Sequence, residues 1–242
     1  MSALLALHGF TGSPRSWDFL PEREHLIAPA LVGHAGASDE HVACFEDELD
    51  RLVALLPRGE AVHVLGYSLG ARLALGLAAR HPARVARLTL VSGHPGLGSD
   101  AERTARRASD AVWCELLVTR GLLAFVDAWE AQPLWSTQAG LAMSIRSQKR
   151  SERSSHDAAG LVRSLRSTGL AEMPCYTPHL AEIRVPVTLL AGETDAKFCL
   201  IARAMASRLP HCRLDFVPGA GHDLLLERPE LITAVIRRGN QT

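Results

Sequence analysis

Ala61-Val62-His63-Val64-Leu65-Gly66-Tyr67-Ser68-Leu69-Gly70 runs from a short apolar stretch into G-x-S-x-G, and a segment of helical period, Leu69 to Arg80, follows at once. Apolar residues in so short a run, bounded by glycines, predict a buried strand, and the spacing after it predicts a helix. Glycines two residues either side of Ser68 permit the tight strand-to-helix turn that pushes a serine into an exposed, strained position. That context makes Ser68 a candidate nucleophile.

Outward from this turn the same pattern repeats. Apolar runs predict strands at Ala3 to Leu7, His25 to Ala30, Val85 to Val91, Val185 to Ala191 and Arg213 to Val217. Helical spacing occupies Cys44 to Leu56, Phe198 to Leu209 and Pro229 to Arg237. Strand alternating with helix predicts an α/β architecture, a mostly parallel sheet with helices on both faces. From about Gly98 to Leu180 the rhythm breaks, and only charged and apolar residues at helical spacing remain. This stretch opens on Ser99-Asp100-Ala101-Glu102, which reads as a capping box. The expected organisation is one domain, with residues 1–98 and 181–242 as its core and 99–180 as a helical lid insertion. Three of the four tryptophans, Trp113, Trp129 and Trp135, fall inside the insertion, where they either pack its small core or wall a pocket facing the sheet.

A serine hydroxyl needs a base held against it and an acid to orient that base. Asp195 follows the strand pattern Val185 to Ala191, in Gly192-Glu193-Thr194-Asp195, and His222 follows Leu214 to Val217, in Gly219-Ala220-Gly221-His222. Both stand at the carboxyl ends of strands in a parallel sheet, where catalytic groups gather. Ser68, Asp195 and His222 form the expected catalytic triad, with Glu193 as the competing acid. His63 within a strand, His81 at a helix end and His211 in a turn read as structural. The backbone N–H groups of Phe10, in the loop after the first strand, and Leu69, directly after the serine, are the expected oxyanion-hole donors.

Composition narrows the function. At 242 residues, with 47% hydrophobic and 21% charged residues, the chain can bury a full core and lies outside the disordered classes. Lys+Arg and Asp+Glu are both 26, so the net charge is zero and no basic excess points to nucleic acid. The longest strongly apolar run is too short to span a membrane, and no Lys/Arg-led signal with a cleavage site precedes it. The expected protein is cytoplasmic, a monomer or weak homo-oligomer, with a small-molecule partner. Five widely spaced cysteines lack C-x-x-C or zinc spacing and read as reduced thiols, mostly core filler. No G-x-G-x-x-G, P-loop or H-E-x-x-H occurs, so no cofactor and no metal are expected.

Taken together, these residues resemble the α/β-hydrolase superfamily over nearly the whole chain, in the chain order Ser, Asp, His. More narrowly, Gly66-Tyr67-Ser68-Leu69-Gly70-Ala71-Arg72, Gly93-His94-Pro95-Gly96-Leu97, the Ala105 to Asp110 run, Gln132-Pro133, Ile145-Arg146-Ser147 and Asp195-Ala196-Lys197-Phe198 are similar to the 2-succinyl-6-hydroxy-2,4-cyclohexadiene-1-carboxylate synthase family of menaquinone biosynthesis. Two departures stand out. Ala71 replaces the family's usual second glycine, and the chain opens almost directly at the strand before the oxyanion loop, so the usual antiparallel opening strands are expected to be absent. The resemblance implies a triad of Ser68, Asp195 and His222, with Arg72, Arg106 and Arg146 binding carboxylates of a polycarboxylate substrate, helped by Tyr67, His94 and Trp129. Arginine holds carboxylates bidentately, which suits such a substrate. Arg107 reads as a solvated neighbour, and His94 reads equally as a turn residue. The chemistry implied is a lyase that removes a proton beside a succinyl ketone and expels pyruvate. The triad alone fits a carboxylic-ester or thioester hydrolase as well, and the fold could also carry a non-catalytic binding protein.

Overall fold

The computed structural model describes residues 3–21, 24–34 and 36–239. Among them, strands β1 (Leu4–Leu7), β2 (Leu26–Ile27), β3 (Val62–Tyr67), β4 (Val85–Val91), β5 (Val187–Gly192) and β6 (Cys212–Val217) form a sheet ordered β2-β1-β3-β4-β5-β6. Every pairing is parallel. Helices α1 (Phe45–Ala54), α2 (Leu69–Arg80), α3 (Asp100–Glu130), α4 (Met143–Arg153), α5 (Ala158–Thr168), α6 (Ala196–Ala206), α7 (Leu224–Glu227) and α8 (Pro229–Gly239) complete it. The strand and helix positions agree closely with the sequence expectation, except that β2 is only two residues long. Pro29 within the expected run has no N–H to give a ladder, and a sheet edge tolerates so short a strand.

Alternate side chains along each central strand serve opposite faces, as a period of two requires. On one face Leu5, Val64, Leu88 and Leu189 pack with Phe45 and Leu49 of α1, Leu73 of α2 and Met205 of α6. On the other, Ala6, Leu65, Val91 and Leu190 pack with Trp17, Leu224 of α7 and Ile232 of α8. Helices α3 to α5 occupy the chain between β4 and β5, where Leu117, Phe125, Leu161 and Leu165 form a third buried cluster. The capping box at its start is present, with the Glu102 N–H donating to Ser99 Oγ and the Ser99 N–H to Glu102. α3 breaks its helical path at Gly121, whose φ of 78° is open to glycine.

The cysteines are all free, as thiols, but only Cys114 is buried. The core-filler expectation is corrected: Cys44 lies exposed as the N-cap of α1, and Cys199 and Cys212 are half-buried with their thiols directed to backbone carbonyls. Among the described residues, no helix is long and apolar enough to cross a membrane.

Candidate active site

The carboxyl ends of β1, β3, β4, β5 and β6 open onto one cleft of about 380 Å³, placed where the strand order reverses around β1 and β3. At the end of β3 the chain turns into α2 so tightly that Ser68 adopts φ 52°. The flanking glycines are required by close approach: a Cβ at Gly66 would lie 2.3 Å from the Gly70 carbonyl oxygen, and one at Gly70 would lie 1.9 Å from that of Leu7. Ala71 is accommodated because its methyl group faces Gly93, where a Cβ would come within 3.3 Å of it.

The Ser68 hydroxyl lies 3.0 Å from His222 Nε2, and His222 Nδ1 lies 2.8 Å from Asp195 Oδ2. His222 and Asp195 are both buried side chains, at 2% and 8% exposure. With the carboxylate accepting from Nδ1–H, Nε2 is the acceptor for the serine proton. Asp195 also caps α6, its Oδ1 accepting from the Phe198 N–H, so the acid is anchored independently of the histidine. Glu193 is exposed, and it is Asp195 that reaches His222. The His222 ring is boxed by Phe198 at 4.4 Å, Trp135 at 5.6 Å and Tyr67 at 5.7 Å between centroids.

Thr11, Ser68 and Ser92 are the non-glycine residues with positive φ among those described, and they follow β1, β3 and β4. Left-handed conformations in such residues cost of order 1–3 kcal/mol and persist where surroundings over-determine them. Ser92 lines the cleft and its hydroxyl donates to the His222 carbonyl at 2.8 Å, a tie that the sequence reading missed. Phe10 and Leu69 also line the cleft, and among the described residues neither backbone N–H has a protein acceptor. The Phe10 side chain packs edge-on against His34, Phe125 and Trp129.

Cations crowd the far side. Arg72, on the first turn of α2, donates to the Thr168 carbonyl at 2.9 Å but has no carboxylate partner among the described residues. Burial, with the nearby Arg106 guanidinium, pushes its pKa down to about 9, so it stays charged at neutral pH and gains from an incoming anion. Arg106 pairs with buried Asp110 at 2.8 Å, one helical turn on. Burial raises the Asp110 pKa, and Arg106 and Arg72 oppose that shift. His94 accepts from the Gly96 N–H at Nδ1, which leaves Nε2 as a donor. Burial, together with Arg72, Lys197 and Arg106, lowers its pKa to about 4, so it is neutral. Tyr67 is buried, and burial pushes its phenol well above the usual range.

Of the sequence-predicted residues, the cleft brings together Ser68, His222, Phe10, Leu69, Tyr67, Arg72, His94, Arg106 and Trp129, with Asp195 directly behind His222. Trp113, Trp129 and Trp135 do both things expected of them: they contact one another and wall the cleft. Arg146 lies elsewhere, exposed on α4 beside a neighbouring cavity. Seven residues on, Arg153 shares that helix face but is 3% exposed, bonded to Glu130 at 2.9 Å and 5.1 Å above the Trp135 ring. Both arginines follow the same helical spacing, so the sequence held no signal to separate them. Lys197 also lines the cleft and was missed as a site residue, although it stands in the quoted Asp195 to Phe198 run.

The chain belongs to the alpha/beta hydrolase family, whose model matches residues 4–235. Within that class it is similar to a particular set of enzymes. It is 38% identical to a Bacillus subtilis (strain 168) protein that carries the name 2-succinyl-6-hydroxy-2,4-cyclohexadiene-1-carboxylate synthase provisionally, over 97% of this chain and 88% of that one. It is 32% identical to the synthase of that name from Enterobacter sp. (strain 638), over 96% and 89%. The solved structure of MenH from S. aureus superposes with TM-score 0.94 at 30% identity, covering all of this chain and 95% of that one.

Proposed function

We propose that this chain is a lyase of menaquinone biosynthesis. It eliminates pyruvate from 2-succinyl-5-enolpyruvyl-6-hydroxy-3-cyclohexene-1-carboxylate to give 2-succinyl-6-hydroxy-2,4-cyclohexadiene-1-carboxylate. Similarity to the named synthases over nearly the full chain supports the reading. The observation that carries it is a triad facing Arg72, a half-buried cation with no carboxylate within ion-pair distance among the described residues, across one cleft.

His222 draws the proton from Ser68, and the serine oxygen takes the proton from the ring carbon that bears the succinyl ketone. Negative charge moves onto the ketone oxygen, where the Phe10 and Leu69 N–H groups receive it. The electron pair shifts through the ring double bond and breaks the carbon–oxygen bond to the enolpyruvyl group, whose enolate is protonated and becomes pyruvate. Arg72 and Arg106 hold substrate carboxylates, and neutral His94 and Tyr67 supply hydrogen bonds. Residues 99–180 act as a lid on the core formed by 1–98 and 181–242, with Trp129 as its inner face. The chain works without a cofactor or metal, as a cytoplasmic monomer or weak homo-oligomer.

A second reading, a carboxylic-ester or thioester hydrolase, draws on the apolar wall of Trp113, Trp129 and Trp135. Parallel assays decide between them. The lyase releases pyruvate above the spontaneous rate and cleaves p-nitrophenyl esters slowly. Fast, Ser68-dependent ester cleavage without pyruvate release supports the hydrolase.

A further inference from the structure

The turn that presents the Phe10 N–H is held from outside. Gly12 N–H donates to the Gly9 carbonyl at 3.0 Å and closes the turn around Phe10 and Thr11. Thr11 has φ 62°, and its N–H donates to His34 Nε2 at 3.2 Å while His34 Nδ1 bonds the Val32 carbonyl at 3.1 Å. On the downstream side, Ser13 Oγ donates to Glu152 Oε1 at 2.5 Å and Ser16 Oγ donates to the same oxygen at 3.3 Å. Glu152 belongs to α4, and its second oxygen accepts from Lys149 at 2.9 Å. An ionised carboxylate accepts at both oxygens, so one side chain can clamp two serines and a lysine.

A second seam ties the same regions. Gly33, beside His34, meets the first turn of α5 backbone to backbone: a Cβ there would lie 2.1 Å from the Gly160 carbonyl oxygen, and one on Gly160 would lie 2.5 Å from that of Gly33. His156, between α4 and α5, stacks edge-on to His34 at 5.4 Å, and His34 does the same to Phe10 at 5.5 Å. The catalytic floor and the helices above it therefore meet at a turn whose strained geometry, Thr11 at φ 62°, needs support.

We infer that Glu152 is a positioning residue. By gripping Ser13 and Ser16 it sets the turn that aims the Phe10 N–H, so the seating of α4 and α5 is transmitted to the oxyanion donors. The inference rests on the reading of Phe10 as such a donor, and not on the identity of the substrate.

The test is the rate at which an alkyl fluorophosphonate labels Ser68, a step that needs the triad and oxyanion donors but no anionic substrate. Ser68 Oγ bonds to phosphorus, fluoride leaves and the proton passes to His222. E152A is expected to slow labelling about tenfold, below the ~10²–10³ of losing a donor outright. Its kcat for pyruvate release should fall in step, with KM within about twofold. Glu152→Gln keeps an acceptor oxygen for both serines and should restore labelling to within about threefold of wild type. S13A removes the same bond from the other side, and combining it with E152A should add little, since contacts in one network are not additive. S13A carries the test should E152A not fold. Labelling of folded E152A at the wild-type rate, equal loss in E152A and E152Q, or full additivity with S13A overturns the inference. Wild-type protein that resists labelling overturns the triad reading beneath it, whereas absence of pyruvate release with normal labelling overturns only the lyase assignment.

Discussion

The floor and the roof of the cleft are made differently. Ser68, Asp195, His222 and Phe10 stand on loops that leave the carboxyl ends of parallel strands, and each is fixed by backbone ties or hydrogen bonds within about 3 Å. The roof comes from α3 to α5 and their connections, which present Arg106, Trp113, Trp129 and Trp135. On the floor the Asp195 carboxylate has its partner in the His222 ring. Beside Asp110 and under the roof, Arg72 has no carboxylate within ion-pair distance among the described residues. On the proposed reading, a preorganised floor supplies reaction chemistry shared by many enzymes, while the cationic side chooses the molecule on which it acts.

Substitutions separate the two regions, and the largest effect belongs to the floor. Ser68→Ala should abolish labelling and lower the enzymatic rate of pyruvate release about 10⁴-fold or more, the scale seen when a triad nucleophile is lost. Steady-state kinetics against a no-enzyme control read this directly. Next, Arg106→Ala should cost about 2 kcal/mol, roughly thirtyfold in kcat/KM for the anionic substrate, as losing a charge-assisted contact from a half-buried guanidinium does. Labelling by a neutral fluorophosphonate should change by less than about threefold in the same variant. A parallel loss in both assays would erase the distinction between floor and roof.

A comparable effect concerns protons. Burial pushes His8, at the floor turn, and His63, within β3, down to about 4. The unfolded chain takes up those protons near pH 6.5, so stability is full above that value and falls as the pH drops towards 4. Urea unfolding at pH 7.5 and 5.0 should show a loss of about 2 kcal/mol per histidine. A flat profile would contradict neutral, buried imidazoles. The smallest effect is expected for Arg146→Ala, at under about 1 kcal/mol in kcat/KM, because that side chain is exposed and lies outside the cleft. A hundredfold loss there would bring the Arg146 face of α4 into the cleft.

The same division governs what could be read from the sequence. Strand ends announce themselves through apolar runs followed by glycine, so the positions of Ser68, Asp195 and His222 are legible in the sequence. The ranking of Asp195 over Glu193 followed from position alone, and the 2.8 Å contact to His222 agrees with it. In the roof, helical spacing fixes only a face. Arg146 and Arg153 share one face of α4, and burial against Glu130 and Trp135 distinguishes them, a consequence of how α4 meets the end of α3 and the segment after it and not of local sequence. Ser92 was invisible for a similar reason: its left-handed φ and its bond to the His222 carbonyl join residues 130 positions apart. Glu152 escaped notice because its partners, Ser13 and Ser16, lie at the other end of the chain.

The most direct measurement is pyruvate release from the enolpyruvyl cyclohexene substrate generated in place, followed beside a no-enzyme control and Ser68→Ala. The account predicts an excess rate, with pyruvate and the cyclohexadiene formed in equal amounts, that disappears in Ser68→Ala. Wild-type protein that is labelled at Ser68 by a fluorophosphonate yet gives no excess pyruvate would contradict it.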